Sequence, residues 1–233
     1  MKKALSLYRE GHLGAALEEA GEQLRTQPGD SRLRTFLFEL LCFAGEFSRA
    51  QKQLDVLASQ SEAAAAGAIV YSDLLRVHRT REDIFESKNF IGQGNASGDR
   101  LRVNGNVYET CVDEDERIGA ALEVYGPNGY EVLPFSQVGR VEIDKPGTLR
   151  DLLWIPAGLW TKDADEKGGP KRVYLPALAP LTWKHPDDAS RLGRLSVLEN
   201  EEDGEAIPFG AKLLLCDADQ IPLLDVRTIE ALA

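Results

Sequence analysis

Runs of carboxylates are the residues of this chain with the most obvious capacity for chemistry. Asp113-Glu114-Asp115-Glu116 offer oxygen ligands of the kind that Mg²⁺ and Ca²⁺ prefer. The run lacks the alternating ligands and the glycine of a calcium-binding loop, so a solvated turn between two strands is the preferred interpretation. Asp217-Ala218-Asp219 has the composition of a tight hairpin turn. We therefore expect no metal at Asp113, Asp115 or Glu116.

Motifs for an activated nucleophile or a phosphate-binding loop are absent from the sequence. It contains no GxSxG, no HExxH and no GxxxxGK[ST]. A general base needs partners within hydrogen-bond reach, and the sequence places none beside the three histidines, His12, His78 and His185. We predict a protein with no catalytic residues and no cofactor. A metal-dependent enzyme built on the acidic clusters of the C-terminal half remains an alternative.

The cysteines give no sign of a zinc site. There are three of them, Cys42, Cys111 and Cys216, and no two form a CxxC pair. Structural zinc sites usually draw on such closely spaced pairs. A sparse and odd number of cysteines is typical of a reducing compartment, which favours the cytoplasm.

The overall charge argues against two classes of partner. The chain has 27 Lys and Arg against 38 Asp and Glu, a net charge of −11. Such a surface repels phosphate backbones and anionic lipids, so we expect neither nucleic acid nor a membrane as a partner. The longest apolar run, Ala63–Tyr71, is too short to span a bilayer. No apolar run of a signal peptide follows Met1-Lys2-Lys3.

The first third of the chain has the apolar spacing of helices. The widest apolar stripe predicts the most buried helix, with a core of Phe36, Leu37, Leu40 and Leu41. Gly11 and Gly45 stand where helices should end and reverse. A further helix is predicted from Glu62 to about Ser87, with Thr80 as a candidate break.

An internal repeat links these helices. Gly11 and Gly45 are 34 residues apart, and the pairs Leu13/Phe47 and Ala16/Ala50 keep that offset. A period of 34 residues is that of the tetratricopeptide helix–turn–helix unit. Small residues such as Ala16 and Ala50 let two helices approach closely. The alternative is an ordinary pair of helical hairpins with chance spacing.

The pattern changes to short strands after a Gly-, Asn- and Ser-rich segment. We divide the chain into a helical-repeat arm (1–89), a linker (90–100) and a β-rich domain (101–233). Turn signals separate the predicted strands, which are Val107–Val112, Ala120–Tyr125, Tyr130–Leu133, Gly139–Ile143, Leu152–Ile155, Arg172–Leu175, Arg194–Leu198, Lys212–Cys216 and Ile221–Val226. The predicted class is α+β, with a tetratricopeptide-like arm followed by an antiparallel, small barrel-like domain. Trp154 is assigned to its core and Trp183 to its surface.

Four blocks of residues resemble a known family. Residues 34–50 read RTFLFELLCFAGEFSRA, and residues 151–157, 173–178 and 191–194 read DLLWIPA, VYLPAL and RLGR. In this order they are similar to the ImpE/TagJ proteins, also called SciE-type, which are accessory components of the bacterial type VI secretion system. The chain differs from the family pattern at 179–182 and 208–212, and its segment 84–105 is shorter.

The resemblance implies a cytoplasmic adaptor. Such a protein binds the N-terminal helix of the small subunit of the contractile sheath and acts near the AAA+ ATPase that recycles the sheath. A helical-repeat arm suits this task, because an amphipathic helix can lay its apolar face in a groove between stacked helices. A general peptide-binding or chaperone-like module is the alternative within the binding proteins.

The repeat also predicts which residues would contact the partner. In tetratricopeptide arrays the first helix of each unit lines the concave face. If Ala16 and Ala50 mark the close-packing positions, nine residues fall on that face: Leu5, Tyr8, Arg9, Glu39, Cys42, Phe43, Ile69, Asp73 and Arg76. Apolar members would take the apolar stripe of a helix, and charged members would fix its register. The alternative is that Phe43 and Ile69 fill the core between units.

Overall fold

The computed structural model describes residues 1–90, 98–163, 169–200 and 206–232. Five helices come first, and a short sixth lies between later strands: α1 (Lys2–Glu10), α2 (Leu13–Thr26), α3 (Ser31–Phe43), α4 (Phe47–Ala58), α5 (Glu62–Glu86) and α6 (Asp188–Arg191). Residues after α5 are mainly β-strand, so the predicted α+β class is confirmed. Helix α5 ends ahead of the predicted linker, and residues 91–97 of that linker lie outside the described residues.

Two helical hairpins related by the 34-residue offset form the start of the arm. Gly11 joins α1 to α2 with φ +93°, and Gly45 joins α3 to α4 with φ +73°. Both φ values lie in the left-handed region, which glycine adopts at little cost. Ala16 and Ala50 are fully buried, as expected for the positions at which helices approach each other.

Helix α3 is the most buried of the five, which confirms the prediction from its wide apolar stripe. Leu40 and Leu41 are completely buried, and Phe36 and Leu37 are exposed by only 8% and 4%. The side chain of Asp30 accepts a hydrogen bond from the backbone N–H of Leu33 at 3.0 Å, which caps the start of the helix.

Helix α5 is continuous for 25 residues. A break at Thr80 is therefore wrong, because the Thr80 hydroxyl donates to the Arg76 carbonyl at 3.1 Å within an unbroken helix. The Ser61 side chain caps its start by accepting from the N–H of Ala64. Its length carries the helix from the arm onto the β-sheet.

Ten strands form one curled antiparallel sheet, an open half-barrel, in the order β11-β10-β2-β1-β12-β5-β6-β7-β3-β4. The strands of this sheet are β1 (Asp99–Val103), β2 (Asn106–Asp113), β3 (Ala121–Gly126), β4 (Gly129–Pro134), β5 (Val138–Ile143), β6 (Trp154–Thr161), β7 (Lys171–Pro176), β10 (Leu213–Cys216), β11 (Asp219–Pro222) and β12 (Thr228–Ala231). A separate two-stranded hairpin pairs β8 (Ser196–Asn200) with β9 (Ala206–Gly210).

The sequence pattern missed three strands and misplaced others. β1, β9 and β12 were not predicted, because they are only four or five residues long and include charged or proline residues. The predicted strand Ile221–Val226 is wrong as a unit: β11 ends at Pro222 and a 3-10 turn, Leu223–Asp225, follows. Proline interrupts the ladder there because it has no N–H to donate.

Two of the cysteines are close in the fold although they are far apart in the sequence. Cys111 and Cys216 face each other across β2 and β10 and are joined as a disulfide, although 105 residues separate them. The spacing of the cysteines along the chain gave no sign of this pair, because the register of β2 and β10 sets the distance between the two residues. Cys42 is free and buried in the arm.

The arm and the sheet share a hydrophobic core. Trp154, only 1% exposed, packs with its ring centroid 6.2 Å from that of Phe38 on α3 and 6.5 Å from that of Tyr71 on α5. Leu153 and Leu178 belong to the same cluster. A second core fills the inside of the half-barrel. The core position predicted for Trp154 is confirmed.

Candidate partner-binding surface

A buried ionic network fixes α5 on the sheet. Arg81 of α5 is fully buried and binds both carboxylate oxygens of Glu123 on β3, at 2.6 and 2.8 Å. Its guanidinium also donates to the Leu178 carbonyl at 3.1 Å. A two-point arginine–carboxylate contact of this kind restricts direction as well as distance. It sets the rotation of the C-terminal half of α5.

Lys212 extends the network from Glu123 on β3 to Asp113 on β2. Its ammonium lies 2.5 Å from carboxylate oxygens of both Glu123 and Asp113, and the Tyr130 hydroxyl donates to Glu123 at 2.7 Å. Burial alone would raise the pKa of Glu123, but Arg81 and Lys212 together hold it below its usual range. Burial raises the pKa of Asp113 to about 7, because Lys212 offsets only part of the desolvation.

Trp183 joins the arm to the loop after β7. Its indole N–H donates to Glu82 of α5 at 3.0 Å, and the N–H of Leu181 donates to the same oxygen at 2.8 Å. A Cβ atom placed on Gly45 would lie 2.4 Å from the Trp183 ring, so only glycine allows this contact. The ring is half-buried against the α3–α4 turn. Trp183 therefore makes a contact within the chain, between the loop after β7 and the helical arm.

The three predicted contact residues of α3 are buried. Glu39, Cys42 and Phe43 are exposed by 7%, 2% and 1%. Cys42 and Phe43 line a gap of about 10 Å³ that Leu153 and Leu178 close from the other side. The chain's own β-rich half therefore covers this part of the concave face.

The predicted residues of α1 are also engaged within the chain. Leu5 and Tyr8 are half-buried, and the Tyr8 ring meets Phe36 edge-on with 6.0 Å between centroids. The guanidinium of Arg194 lies over the other side of the Tyr8 ring, 4.9 Å from its centroid, and donates to the carbonyl of Arg9 at 2.8 Å. The Arg9 residue itself is exposed.

The predicted residues of α5 lie on the free surface. Ile69 is 64% exposed, more than any other large hydrophobic residue that the structure describes. Val70 beside it is 44% exposed. Asp73 and Arg76 follow at helical spacing and form an exposed ion pair at 3.6 Å. The N-terminal half of α5 thus presents an apolar patch next to charges of both signs.

Two open cavities border this half of the helix. One, of about 410 Å³, is lined by residues of α3, α4 and α5 and by Arg150, whose guanidinium lies 4.4 Å above the Tyr71 ring. The other, of about 260 Å³, lies between α5 and the sheet and is lined by Val70, Leu74 and Tyr174 among others. Grooves along a helix can accept the side chains of a second helix.

Comparison with known proteins identifies the family. Residues 105–230 match the family described as ImpE protein. Over 262 aligned positions the chain is 31% identical to the type VI secretion system accessory component TagJ of Pseudomonas aeruginosa, covering 97% of this chain and 90% of TagJ. The chain belongs to the ImpE family. A crystal structure of the protein VPA1032 from Vibrio parahaemolyticus shares its fold, with a TM-score of 0.85, 20% sequence identity, and coverage of 99% of this chain and 98% of that one.

The acidic clusters of this ImpE chain make contacts within the protein. Asp115 binds the guanidinium of Arg117 at 2.6 and 2.7 Å, and Asp113 is paired with Lys212. Asp217 accepts hydrogen bonds from the backbone N–H groups of Glu109 and Thr110. In the described parts of the chain, no three His, Cys, Asp or Glu residues are grouped as a metal would need. No helix in those parts is long and apolar enough to cross a membrane.

Sequence reasoning missed the residues that orient α5. Glu123 and Lys212 each stand inside an apolar strand run, AALEVY and AKLLLC, where a charge must be paired to be buried. That placement is a usable signal, because an unpaired charge in such a run would be very costly. Nothing in the sequence indicated that Arg81 is the partner of Glu123, since 42 residues separate them.

Proposed function

We propose that this ImpE protein is a non-catalytic accessory component of a bacterial type VI secretion system. In this proposal it acts in the cytoplasm as an adaptor that binds the N-terminal helix of the small contractile-sheath subunit, near the AAA+ ATPase that recycles the sheath. The 31% identity to the accessory component TagJ over nearly the whole chain supports the assignment to a type VI secretion system. The partner itself comes from the family resemblance alone.

The site we propose is the N-terminal half of α5. Ile69 and Val70 offer an exposed apolar contact, and Asp73 and Arg76 offer charges one turn further along. An amphipathic helix carries the complementary arrangement, an apolar stripe flanked by charges. Arg9 is an exposed charge on α1. Glu39, Cys42, Phe43, Leu5 and Tyr8 are, by their burial or packing, supports of the surface and not its outer face.

A peptide-binding experiment tests the proposal with a matched control. A synthetic peptide of the N-terminal helix of the small sheath subunit encoded in the same gene cluster is titrated into the full chain by calorimetry. Val70→Ser and Ile69→Ser should each weaken binding by at least about 1.4 kcal/mol, or tenfold, as loss of an apolar hot spot does. Val107→Ser on β2 is the control, because Val107 is 45% exposed and Val70 44%.

The outcomes separate the candidate functions. No binding of the peptide to the wild-type chain contradicts the sheath-adaptor role. Equal binding of unrelated amphipathic peptides favours a general peptide-binding or chaperone-like module. Stabilisation of the chain by Mg²⁺ or Ca²⁺ would instead favour the metal-dependent enzyme of the β-rich domain.

A further inference from the structure

Arg150 is a half-buried arginine whose guanidinium has no hydrogen-bond or ion-pair partner among the described residues. Its contact is the face of the Tyr71 ring, 4.4 Å from the centroid. The other arginines without such a partner in those residues, Arg9, Arg32 and Arg79, are all exposed to bulk water. A guanidinium carries five N–H donors and no acceptor, so Arg150 offers an open site for an anion.

This guanidinium forms part of the wall of the cavity of about 410 Å³ beside α5. Arg150 is the one charged residue among the described residues that line it. Most of the remaining surface is apolar or aromatic and includes Phe38, Leu54, Leu57 and Tyr71. Small-molecule sites are typically cavities of about 300–1,000 Å³, lined mainly by such side chains and a few polar groups. The size and the lining of this cavity both fit that class.

Gly67 leaves part of the cavity empty. It lines the cavity and lies on α5 two turns before the buried Leu74, on the same side of the helix. A Cβ atom placed on Gly67 would meet no atom within 4 Å. Glycine weakens the interior of a helix, and no close packing within the chain requires it here. The core-facing side of α5 therefore carries an open space at this position.

Two carboxylates of the chain lie within electrostatic range of Arg150 without pairing with it. Asp151 accepts hydrogen bonds from the backbone N–H groups of Gly147 and Thr148. Glu39 feels the charge of Arg150 but forms no ion pair with it and does not line the cavity. The guanidinium thus stays available to a carboxylate that enters from solvent.

We propose that this cavity binds a small carboxylic acid with an apolar body. The carboxylate pairs with Arg150, since a planar guanidinium can hold both oxygens of a carboxylate at once. The apolar body lies against Phe38 and Leu54 and fills the space in front of Gly67. The local charge of the cavity comes from Arg150, so the site takes an anion although the whole chain carries a net charge of −11. This site is independent of the proposed function.

Calorimetric titration of the full chain with 4-phenylbutyrate at neutral pH tests the site. Butyrate keeps the carboxylate and 4-phenyl-1-butanol keeps the apolar body, and both should bind at least about tenfold more weakly. Arg150→Gln should weaken 4-phenylbutyrate about tenfold, to the level of the alcohol, because a hydrogen bond between charged groups is lost. Gly67→Leu should weaken it at least as much by filling the space.

Two matched variants serve as controls. Arg140→Gln removes an arginine that is 49% exposed and paired with Glu142 on the sheet. Gly21→Leu makes the same helix substitution in α2, where a Cβ atom also meets nothing within 4 Å. Both should bind 4-phenylbutyrate as the wild type does. Circular dichroism checks that each variant is folded, and Arg150→Gln decides the matter if Gly67→Leu is not.

The possible results differ clearly. Equal affinity in the wild type, Arg150→Gln and Gly67→Leu refutes the site. So does the absence of binding up to about 50 mM, roughly ten times a weak millimolar constant. Retention of 4-phenylbutyrate when the sheath-subunit peptide is bound supports a free acid as the ligand. Displacement by the peptide overturns that and assigns the cavity to an acidic side chain of the partner. Failure of the peptide to bind removes the proposed function and leaves this titration unaffected.

Discussion

Replacing Arg81 by methionine should destabilise the protein by roughly 3–5 kcal/mol, the usual result of removing one member of a buried ion pair. Arg81 is completely buried and is the only residue of α5 that holds both oxygens of Glu123, among the contacts that the structure describes. Methionine is similar in length and apolar, so it leaves little cavity. The loss therefore measures the charged contacts, and not the packing.

The contacts that remain set the size of the effect. Glu123 keeps Lys212 at 2.5 Å and the Tyr130 hydroxyl at 2.7 Å, so it does not become an isolated charge. The Leu178 carbonyl loses its donor, and Glu82 loses one of the groups that neutralise it. Two hydrogen bonds between charged groups, at about 1.5–3 kcal/mol each, give 3–6 kcal/mol before this compensation. A value near the lower end, about 3 kcal/mol, is the expectation.

Urea denaturation followed by circular dichroism and tryptophan fluorescence measures the change. Arg76→Met on the same helix is the control: Arg76 is 65% exposed and its ion pair with Asp73 spans 3.6 Å, so its loss should cost less than about 0.5 kcal/mol. Arg81→Lys should fall between the two, because lysine keeps the charge but cannot bind both oxygens at once. A loss below about 1 kcal/mol for Arg81→Met would refute the claim that this network holds α5 on the sheet.

Four further predictions rest on single residues. Leu40→Ala should lower the free energy of unfolding by roughly 2–5 kcal/mol, since Leu40 is fully buried; a smaller loss in urea titrations would mean a loosely packed α3. Gly45→Ala should cost about 2–4 kcal/mol and perturb Trp183 fluorescence, whereas Gly21→Ala, which meets no atom within 4 Å, should not destabilise. Burial raises the pKa of Glu39 to about 7, above its unfolded value, so this group lowers the stability of the wild type as pH rises from 5 to 8. Glu39→Gln should remove the share of Glu39, about 3 kcal/mol, and leave that of Asp113, whose pKa burial also raises to about 7; thermal unfolding at each pH measures the difference. Calorimetry should detect no tight binding of Mg²⁺ or Ca²⁺, and binding lost on Asp115→Ala would contradict this.

Local patterns in the sequence were sufficient to predict the helical arm. The stripe from Leu33 to Leu41 and the glycines at 11 and 45 depend on neighbours within a turn or two, and such neighbours are visible in sequence. The strands were harder, because their boundaries depend on partners far along the chain. β12, for example, exists through pairing of Ile229 with Val103 on one side and Val141 on the other.

The candidate surface could be predicted only in part, because the β-rich half covers some of the residues that helical spacing selects. Helical spacing correctly placed Ile69, Asp73 and Arg76 on one face of a helix, and that face is exposed. The same reasoning could not foresee that Trp154 and Leu178 would cover Phe43, because nothing in the repeat specifies what packs against it. Whether any of these residues contacts a partner remains a prediction.

Because Trp154 packs against the helices, the helical repeat of this protein has a different role from the repeat of an open array. In an open array, the first helices of the units leave their concave face free for a ligand. Here that face holds the chain's own sheet, and the repeat serves first to build an internal core. What stays free is the outer face of the N-terminal half of α5, with Ile69 on its surface and the cavity of Tyr71 and Arg150 beside it. Arg81 lies three turns further along the same continuous helix and fixes the rotation of α5 about its own axis. The buried network and the exposed patch around Ile69 therefore lie at two ends of one helix. A partner helix would meet a surface whose orientation the network has already set.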